Sequence, residues 1–470
     1  MSDSPLRQPI FGKVRHIHMV GIGGIGMSSI AEVLLEWGFV VSGSDISDGE
    51  NTEELRDRGA DISIGHCAEN VGDADVVVYT SAVDPEENDE TREAMERGLP
   101  VIDRAQMLAA LTQRKFGVGI AGTHGKTTTT TLAGHVVRAG ELDPTIIVGG
   151  RVHGFQQRNA VAGTGDVVVV EADEFDRTFL KLSPAVAVIT NIEWEHVDIY
   201  DDLEDTRRAF VEFANKVPFY GAVIACVDDP QFQKILPQIE PRTLTYGTTP
   251  EARLRATEIE REGFITRFTV VFDGESLGSV ELRAPGEHNV QNALASIGVG
   301  LELRIPFGQI RAGLGNFSGV FRRFHKRADV DGVLVIDDYA HHPTEVRATL
   351  KAARKGWPER RIVAVFQPHL YSRTKKFHRE FAEALSAADV VVVTDVYPAR
   401  EEAIEGVDGQ LIVDALEYQG HDDTRYLAEK SELPRKLAEW STGGDLLLTM
   451  GAGDITKLGE EFVERLEQRP

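Results

Sequence analysis

Twice in this chain a short β-branched run ends in a glycine-rich loop that opens into an apolar-periodic stretch. The loops are Gly21-Ile-Gly23-Gly24-Ile-Gly26 and Gly122-Thr123-His124-Gly125-Lys126-Thr127-Thr128. Glycines there let the backbone approach an anion at a helix N-terminus, where free N–H groups and the helix dipole favour negative charge. Short Val/Ile-rich runs then alternate with longer mixed segments throughout, the pattern of α/β units around parallel sheets. That pattern restarts in three blocks. The first predicts strands over 16–20, 39–43 and 75–79. The second predicts strands over 115–121, 166–170, 185–190 and 221–226, then an antiparallel excursion over 242–283. The third predicts strands over 333–337, 362–366, 390–394 and 446–450. With 470 residues, three domains of ordinary size are expected, and we draw them at 1–113, 114–320 and 321–470.

Composition removes several function classes. No apolar run approaches the roughly 18–20 residues of a membrane span, and residues 1–13 contain no apolar core of a secretory signal. Cys67 and Cys226 are the only cysteines; so far apart, they exclude a disulfide scaffold or a Cys-based zinc module and fit a reducing cytoplasm. The formal charge of −25 disfavours a nucleic-acid partner. Only 14 of the 50 basic residues are Lys. The acidity is that of an ordinary soluble acidic enzyme or of adaptation to high salt. Self-repulsion of this size should lower stability at low ionic strength, and molar salt, with a Debye length of roughly 3 Å, should relieve it. We therefore expect melting temperature and activity to rise from low salt toward molar KCl. A flat or falling series of thermal melts would make the acidity incidental.

The first loop is followed 19 residues after Gly26 by Asp45, at the end of the next strand. An acidic residue there commonly holds a ribose hydroxyl, as in NAD sites, but the same geometry suits any nucleoside diphosphate or a plain βα turn. The second loop is a shortened P-loop: backbone N–H groups cradle phosphates, Lys126 neutralises the terminal ones, and the Thr127 hydroxyl suits Mg²⁺. Glu171 follows a strand and opens Glu171-Ala-Asp173-Glu174, placing a carboxylate where a hard cation would sit; Asp173 and Glu174 read equally as a solvated loop. His196 falls near the same sheet edge. In Gly286-Glu287-His288-Asn289-Val-Gln-Asn292, amide side chains could read a base edge or simply cap a helix. The third block carries Arg322-Arg323, Asp337-Asp338-Tyr339-Ala-His341-His342-Pro343 and Gln367-Pro-His369-Leu-Tyr-Ser-Arg373, each just past a predicted strand. Adjacent histidines are a poor zinc pair, because successive side chains alternate; arginines at strand ends suit phosphate or carboxylate.

These motifs, in this order and over nearly the whole chain, resemble the Mur ligase family. The Asp-Tyr-x-His-His-Pro segment and the short first loop resemble the ligase that adds the first amino acid, rather than those adding later residues; the ligase that recycles murein tripeptide is similar in plan. The resemblance implies three α/β domains: a Rossmann-like domain binding UDP, a central P-loop ATPase-type domain, and a Rossmann-like C-terminal domain. It implies ATP and Mg²⁺ as cofactors, and UDP-N-acetylmuramate and L-alanine as partners of a cytoplasmic monomer or homodimer acting in peptidoglycan synthesis without nucleic acid or membrane. By matching positions, Gly21, Gly23, Gly24, Gly26, Asp45, Thr80 and Ser81 would bind the UDP substrate. Gly122, Thr123, His124, Gly125, Lys126, Thr127 and Thr128 would hold the ATP phosphates. Thr127, Glu171 and His196 would hold metal, and His288, Asn289, Asn292, Arg323 and Asp338 would bind ATP. His341, His369 and Arg373 would serve the alanine and acyl-phosphate region. Under this resemblance a nicotinamide oxidoreductase leaves the P-loop unexplained, and a P-loop switch leaves the first loop unexplained.

Overall fold

The computed structural model describes residues 11–149, 158–195, 199–399 and 401–468. They form two compact units. The first comprises Met1–Thr257, Thr269–Val280 and Gln291–Phe317, and the second Glu258–Phe268, Glu281–Val290 and Ser318–Pro470.

The first unit opens with a five-stranded parallel sheet in the order Asp61–Ile64, Val40–Asp45, His16–Val20, Val76–Tyr79, Val101–Asp103. The chain winds outward from His16–Val20 in one direction and then in the other. The end of that strand is therefore the switch point of the sheet, where α/β folds open a crevice for ligands.

Phe116–Ala121 stands inside a second sheet, between Val167–Glu171 and Val186–Ile189, parallel to both. Ala222–Cys226 and Thr243–Gly247 continue that sheet in parallel. This corrects the expectation of an antiparallel excursion beginning at 242. Thr243–Gly247 is a parallel strand, and the alternating region starts only at Leu254–Glu262. Leu254–Glu262, Ile265–Phe272 and Glu275–Leu282 follow one another across two-residue connections, which can only join antiparallel neighbours. Thr243–Gly247 is alternately half-buried and buried, so its pattern imitates a hairpin strand although its pairing is parallel.

The second unit contains a six-stranded sheet in the order His325–Val330, Val333–Asp338, Asp445–Met450, Arg361–Phe366, Val390–Thr394, Thr424–Leu427. Only the first pairing is antiparallel. Leu334 and Ile336 pack with Phe366 and Phe381 on one face, while Val333 and Val335 pack with Leu447 and Phe462 on the other. Burial on both faces is why such strands read as unbroken apolar runs. Edge strands such as Asp61–Ile64, and the charged His325–Val330, lack that signature and carry no sequence signal of comparable strength.

Candidate functional site

At the switch point of the first sheet, Gly21 has φ 77°, and a Cβ there would stand 2.5 Å from Thr80 Cγ2; only glycine fits both demands. The Gly21 and Ile22 N–H groups donate to the Ser44 carbonyl at 2.8 and 3.0 Å. The Gly23 N–H donates to Asp45 Oδ2 at 2.8 Å, and Asn51 Nδ2 donates to the Gly23 carbonyl at 2.7 Å. The helix Ile25–Glu36 then begins after Gly24 with no side-chain cap, leaving an N-terminus suited to an anion. Gly21, Gly23, Gly24, Asp45 and Thr80 line a cavity of about 710 Å³ together with Asn51 and His66. Gly26 and Ser81 are not among its lining residues: a Cβ on Gly26 would meet Arg104 Nη1 at 2.6 Å, and Ser81 is exposed.

The P-loop follows Phe116–Ala121. Register pairs Ile120 with Glu171 and Ala121 with Ile189, so three strand ends converge on the loop. Gly122 adopts φ 134°, and Gly125 precedes the helix Lys126–Ala139, again without a side-chain cap. Lys126 Nζ donates to the Gly122 and Thr123 carbonyls at 2.8 and 3.3 Å, and to Glu174 Oε1 and Oε2 at 2.9 and 2.7 Å. Thr127 Oγ1 donates to Glu171 Oε1 at 3.1 Å, and Glu171 Oε2 accepts the Gly149 N–H at 2.8 Å. Thr128 is buried in the first turn of the helix. A hydroxyl and a carboxylate this close are hard oxygen donors that fit Mg²⁺.

Burial pushes the Glu174 carboxyl up to about 7 against the pull of Lys126, and raises Glu171 as well. Desolvation alone would lower the Lys126 ammonium; the carboxylates of Glu174, Asp173 and Glu171 outweigh it and hold the group above its ordinary value. Asn191 clamps the loop from the neighbouring strand end. Its Oδ1 accepts the His124 N–H at 2.8 Å and its Nδ2 donates to the His124 carbonyl at 3.0 Å. Thr123 Oγ1 accepts the Glu193 N–H at 2.8 Å, and His124 Nε2 lies 3.4 Å from Glu193 Oε2. Asn191 stands outside the residues singled out from sequence, and Glu174, read there as a cation ligand or a solvated loop residue, is instead the partner of Lys126. The available signal for both was their position just past strands flanking the P-loop strand. His196 lies outside the described residues.

Glu287 begins the helix Glu287–Glu302, so neither asparagine of the His288–Asn292 motif caps it. Asn292 packs on the P-loop, where a Cβ on Gly125 would meet its Oδ1 at 2.6 Å.

In the second unit, Asn289 Nδ2 donates to the Pro285 carbonyl at 2.7 Å. Desolvation and the Arg323 charge push His288 down to about 4, keeping it neutral at physiological pH. Asp338 ends its strand buried, accepting the Phe324 and Ala340 N–H groups at 2.7 and 2.8 Å. Burial pushes its carboxyl up to about 6 while Arg323 opposes the shift. The Arg323 guanidinium carbon lies 5.2 Å from the centre of the Tyr339 ring, and its Nη1 is 3.6 Å from Glu345 Oε1. His341 Nδ1 is 3.1 Å from the Tyr339 carbonyl and from Glu345 Oε2. His341 meets His369 edge-on at 5.9 Å, and His369 stacks on Tyr397 at 5.9 Å. His342 instead caps the helix Pro343–Gly356, accepting from the Thr344 N–H at 3.4 Å, so the adjacent histidines do separate work. Arg373 lies in the first turn of the helix Tyr371–Leu385.

Comparison with known proteins agrees with this arrangement. Three family models match: "Mur ligase family, catalytic domain" over residues 16–116, "Mur ligase middle domain" over 120–300, and "Mur ligase, glutamate ligase domain" over 322–453. The chain is 57% identical to a UDP-N-acetylmuramate–L-alanine ligase of Salinibacter ruber over 98% of this chain and 97% of that one. It is 48% identical to the ligase of the same name from Geotalea daltonii, over 98% and 100%. Among solved structures, a UDP-N-acetylmuramate–alanine ligase from Thermotoga maritima superposes with a TM-score of 0.80 at 32% identity, covering 96% and 99%. A murein peptide ligase from Psychrobacter arcticus shares the fold with a TM-score of 0.68 at 23% identity, covering 97% and 99%.

Proposed function

The chain belongs to the Mur ligase family, and from that premise we infer that it joins L-alanine to the lactyl carboxylate of UDP-N-acetylmuramate, consuming ATP and releasing ADP and phosphate. The observation that carries this reading is the presence, in one chain, of two separate uncapped helix N-termini behind glycine loops. One faces a 710 Å³ cleft and the other carries Lys126 and Thr127 against buried carboxylates. Identity of 57% over 98% of the chain to a ligase of that name favours it over murein tripeptide recycling, for which a solved ligase structure is 29% identical and covers 66% of the chain.

A carboxylate is a poor acyl donor, so the lactyl carboxylate first attacks the γ-phosphorus of ATP, giving an acyl phosphate and ADP. The neutral amine of L-alanine then attacks the acyl carbon, and the tetrahedral intermediate loses phosphate to leave an amide. Both steps build negative charge, and preorganised cations and N–H groups stabilise it. Lys126 and the N–H groups of the Gly122–Thr128 turn meet the phosphates. Thr127 and Glu171, with His196, would hold Mg²⁺, which supplies charge neutralisation and orientation of the phosphates when bound. Asn289 and Asn292 would read the adenine, and His288, Arg323 and Asp338 would bind ATP. His341, His369 and Arg373 serve the acyl phosphate and alanine. Gly21, Gly23, Gly24, Asp45 and Thr80, which line the cleft, bind the UDP moiety, and Gly26 lets the helix behind the loop pack closely on Arg104. The cytoplasm, where ATP and UDP-sugars are made, is the compartment this chemistry needs; no described helix is long and apolar enough to cross a membrane.

The test is ADP release with UDP-N-acetylmuramate, with and without L-alanine. Steady turnover should require both, with formation of the amide product. Turnover with a murein tripeptide in place of L-alanine would move the chain to recycling. Hydride transfer with NAD would abandon the ligase reading.

A further inference from the structure

Glu90 has no exposed surface, and among the described residues no Lys or Arg pairs with it. A buried carboxylate without a permanent cation is costly unless hydrogen bonds satisfy it. Its partners are Ser44 Oγ, which donates to Oε2 at 2.5 Å, and Asn70 Nδ2, which donates to Oε1 at 2.6 Å. The Cys67 N–H stands 3.4 Å from Oε1, and His18 Nε2 and His66 Nδ1 each stand 3.5 Å from Oε2. Burial alone would push this carboxyl up; the His18 imidazole beside it and the hydrogen bonds from Ser44 and Asn70 outweigh that and hold the carboxyl below its ordinary value, so it is ionised.

That sets the protons around it. An ionised carboxylate only accepts, so the one hydroxyl proton of Ser44 goes to Glu90. Ser44 Oγ also lies 2.9 Å from His66 Nδ1. With its own proton committed, Ser44 can only accept there, and the neutral imidazole must carry its proton on Nδ1. Nε2 is then an acceptor, on a ring that lines the same cavity as Gly21, Asp45 and Thr80.

We propose that Glu90 is a positioning residue for recognition of the nucleoside: through Ser44 it holds His66 in the Nδ1–H form, so that Nε2 accepts a hydrogen bond from the uracil N3–H or the ribose 2′-hydroxyl of the UDP-sugar. The proposal rests on the assignment of the 710 Å³ cleft as the UDP site.

Two measurements test it on the full chain. Nitrogen NMR of ¹⁵N-histidine-labelled protein, followed upward in pH until the imidazolium signals have gone, should show His66 protonated at Nδ1 and bare at Nε2. In Glu90→Gln the new amide can donate to Ser44, which frees the hydroxyl to donate to Nδ1, and the His66 proton should move to Nε2. A purely structural role for Glu90 would not move it. Titration calorimetry with UDP, N3-methyl-UDP and 2′-deoxy-UDP gives the second readout. Wild type should bind UDP, and His66→Phe and Glu90→Gln should each bind it roughly 10-fold more weakly, the worth of one hydrogen bond. ADP binding should be unchanged in both. The analogue lacking the donor that His66 reads should lose the same factor with wild type and nothing further with His66→Phe; N3-methyl-UDP identifies the base and 2′-deoxy-UDP the ribose. A wild-type His66 protonated on Nε2, a His66→Phe protein that binds UDP normally, or a wild type that binds both analogues like UDP overturns the relay and leaves the cleft assignment standing. A wild type that does not bind UDP overturns the cleft assignment, and the relay with it. The wild-type spectrum and His66→Phe leave the buried carboxylate intact, so the test survives a Glu90→Gln protein that does not fold.

Discussion

Lys126→Ala should lower turnover on the order of 10²–10³-fold, by analogy with loss of one preorganised donor to developing charge. Lys126 is the ammonium at the mouth of the P-loop, held by two loop carbonyls and by Glu174. Phosphoryl transfer concentrates negative charge beside it, so the loss should fall on acyl-phosphate formation, before L-alanine enters. Trapping the acyl phosphate with hydroxylamine in a single turnover reads that half-reaction directly. His341 and Arg373 variants should behave oppositely, sparing the trapped species while lowering amide formation. Removing Lys126 also takes from Glu174 its ion-pair partner, and breaking a buried ion pair costs about 3–5 kcal/mol. Pairing Lys126→Ala with Glu174→Gln separates the effects, because the double variant should regain thermal stability without regaining turnover. Near-normal turnover of Lys126→Ala would defeat the P-loop assignment, and a His341 variant unable to form trapped acyl phosphate would move that residue to the first step.

Gly122→Ala should disable the ATP site through geometry alone. The residue sits at φ 134°, where L side chains are strained, and a Cβ would stand 1.9 Å from Thr190 Oγ1 and 3.0 Å from the Thr190 nitrogen. Neither neighbour can move freely. Thr190 Oγ1 donates to the His124 carbonyl at 2.6 Å, and Asn191 holds both polar groups of the same peptide segment. Backbone strain and overpacking together cost about 2–6 kcal/mol. We expect a lowered melting temperature and loss of ADP binding, with UDP binding retained because its cleft is built on a different sheet. Thr190→Ala should restore part of the stability, since it removes the hydroxyl but not the backbone strain. Unchanged ADP affinity in calorimetry would mean that the loop accommodates the methyl group, contrary to this geometry.

Local sequence carried the two strand–loop–helix turns, the central strands and the acidic residue at a strand end. Each rests on physics that acts within a few residues. Glycine alone tolerates the conformations at Gly21 and Gly122, and a strand buried on both faces, such as Val390–Thr394, must be apolar throughout. Edge strands escaped because half of their surface obeys no such rule. Asp61–Ile64 has a single fully buried residue, and Thr424–Leu427 has none. The partners that organise the sites lay further out of reach. Glu174 reaches Lys126 across 48 positions, Asn191 reaches His124 across 67, and Glu90 reaches Ser44 across 46. No spacing rule joins such pairs. Strand order and register decide them, by laying parallel strands so that their C-terminal ends share one edge, and that order is set by which faces of which elements bury each other. The chain therefore announced where phosphates would be met, while only the packed sheets determined which carboxylate would hold the lysine and which would orient the histidine.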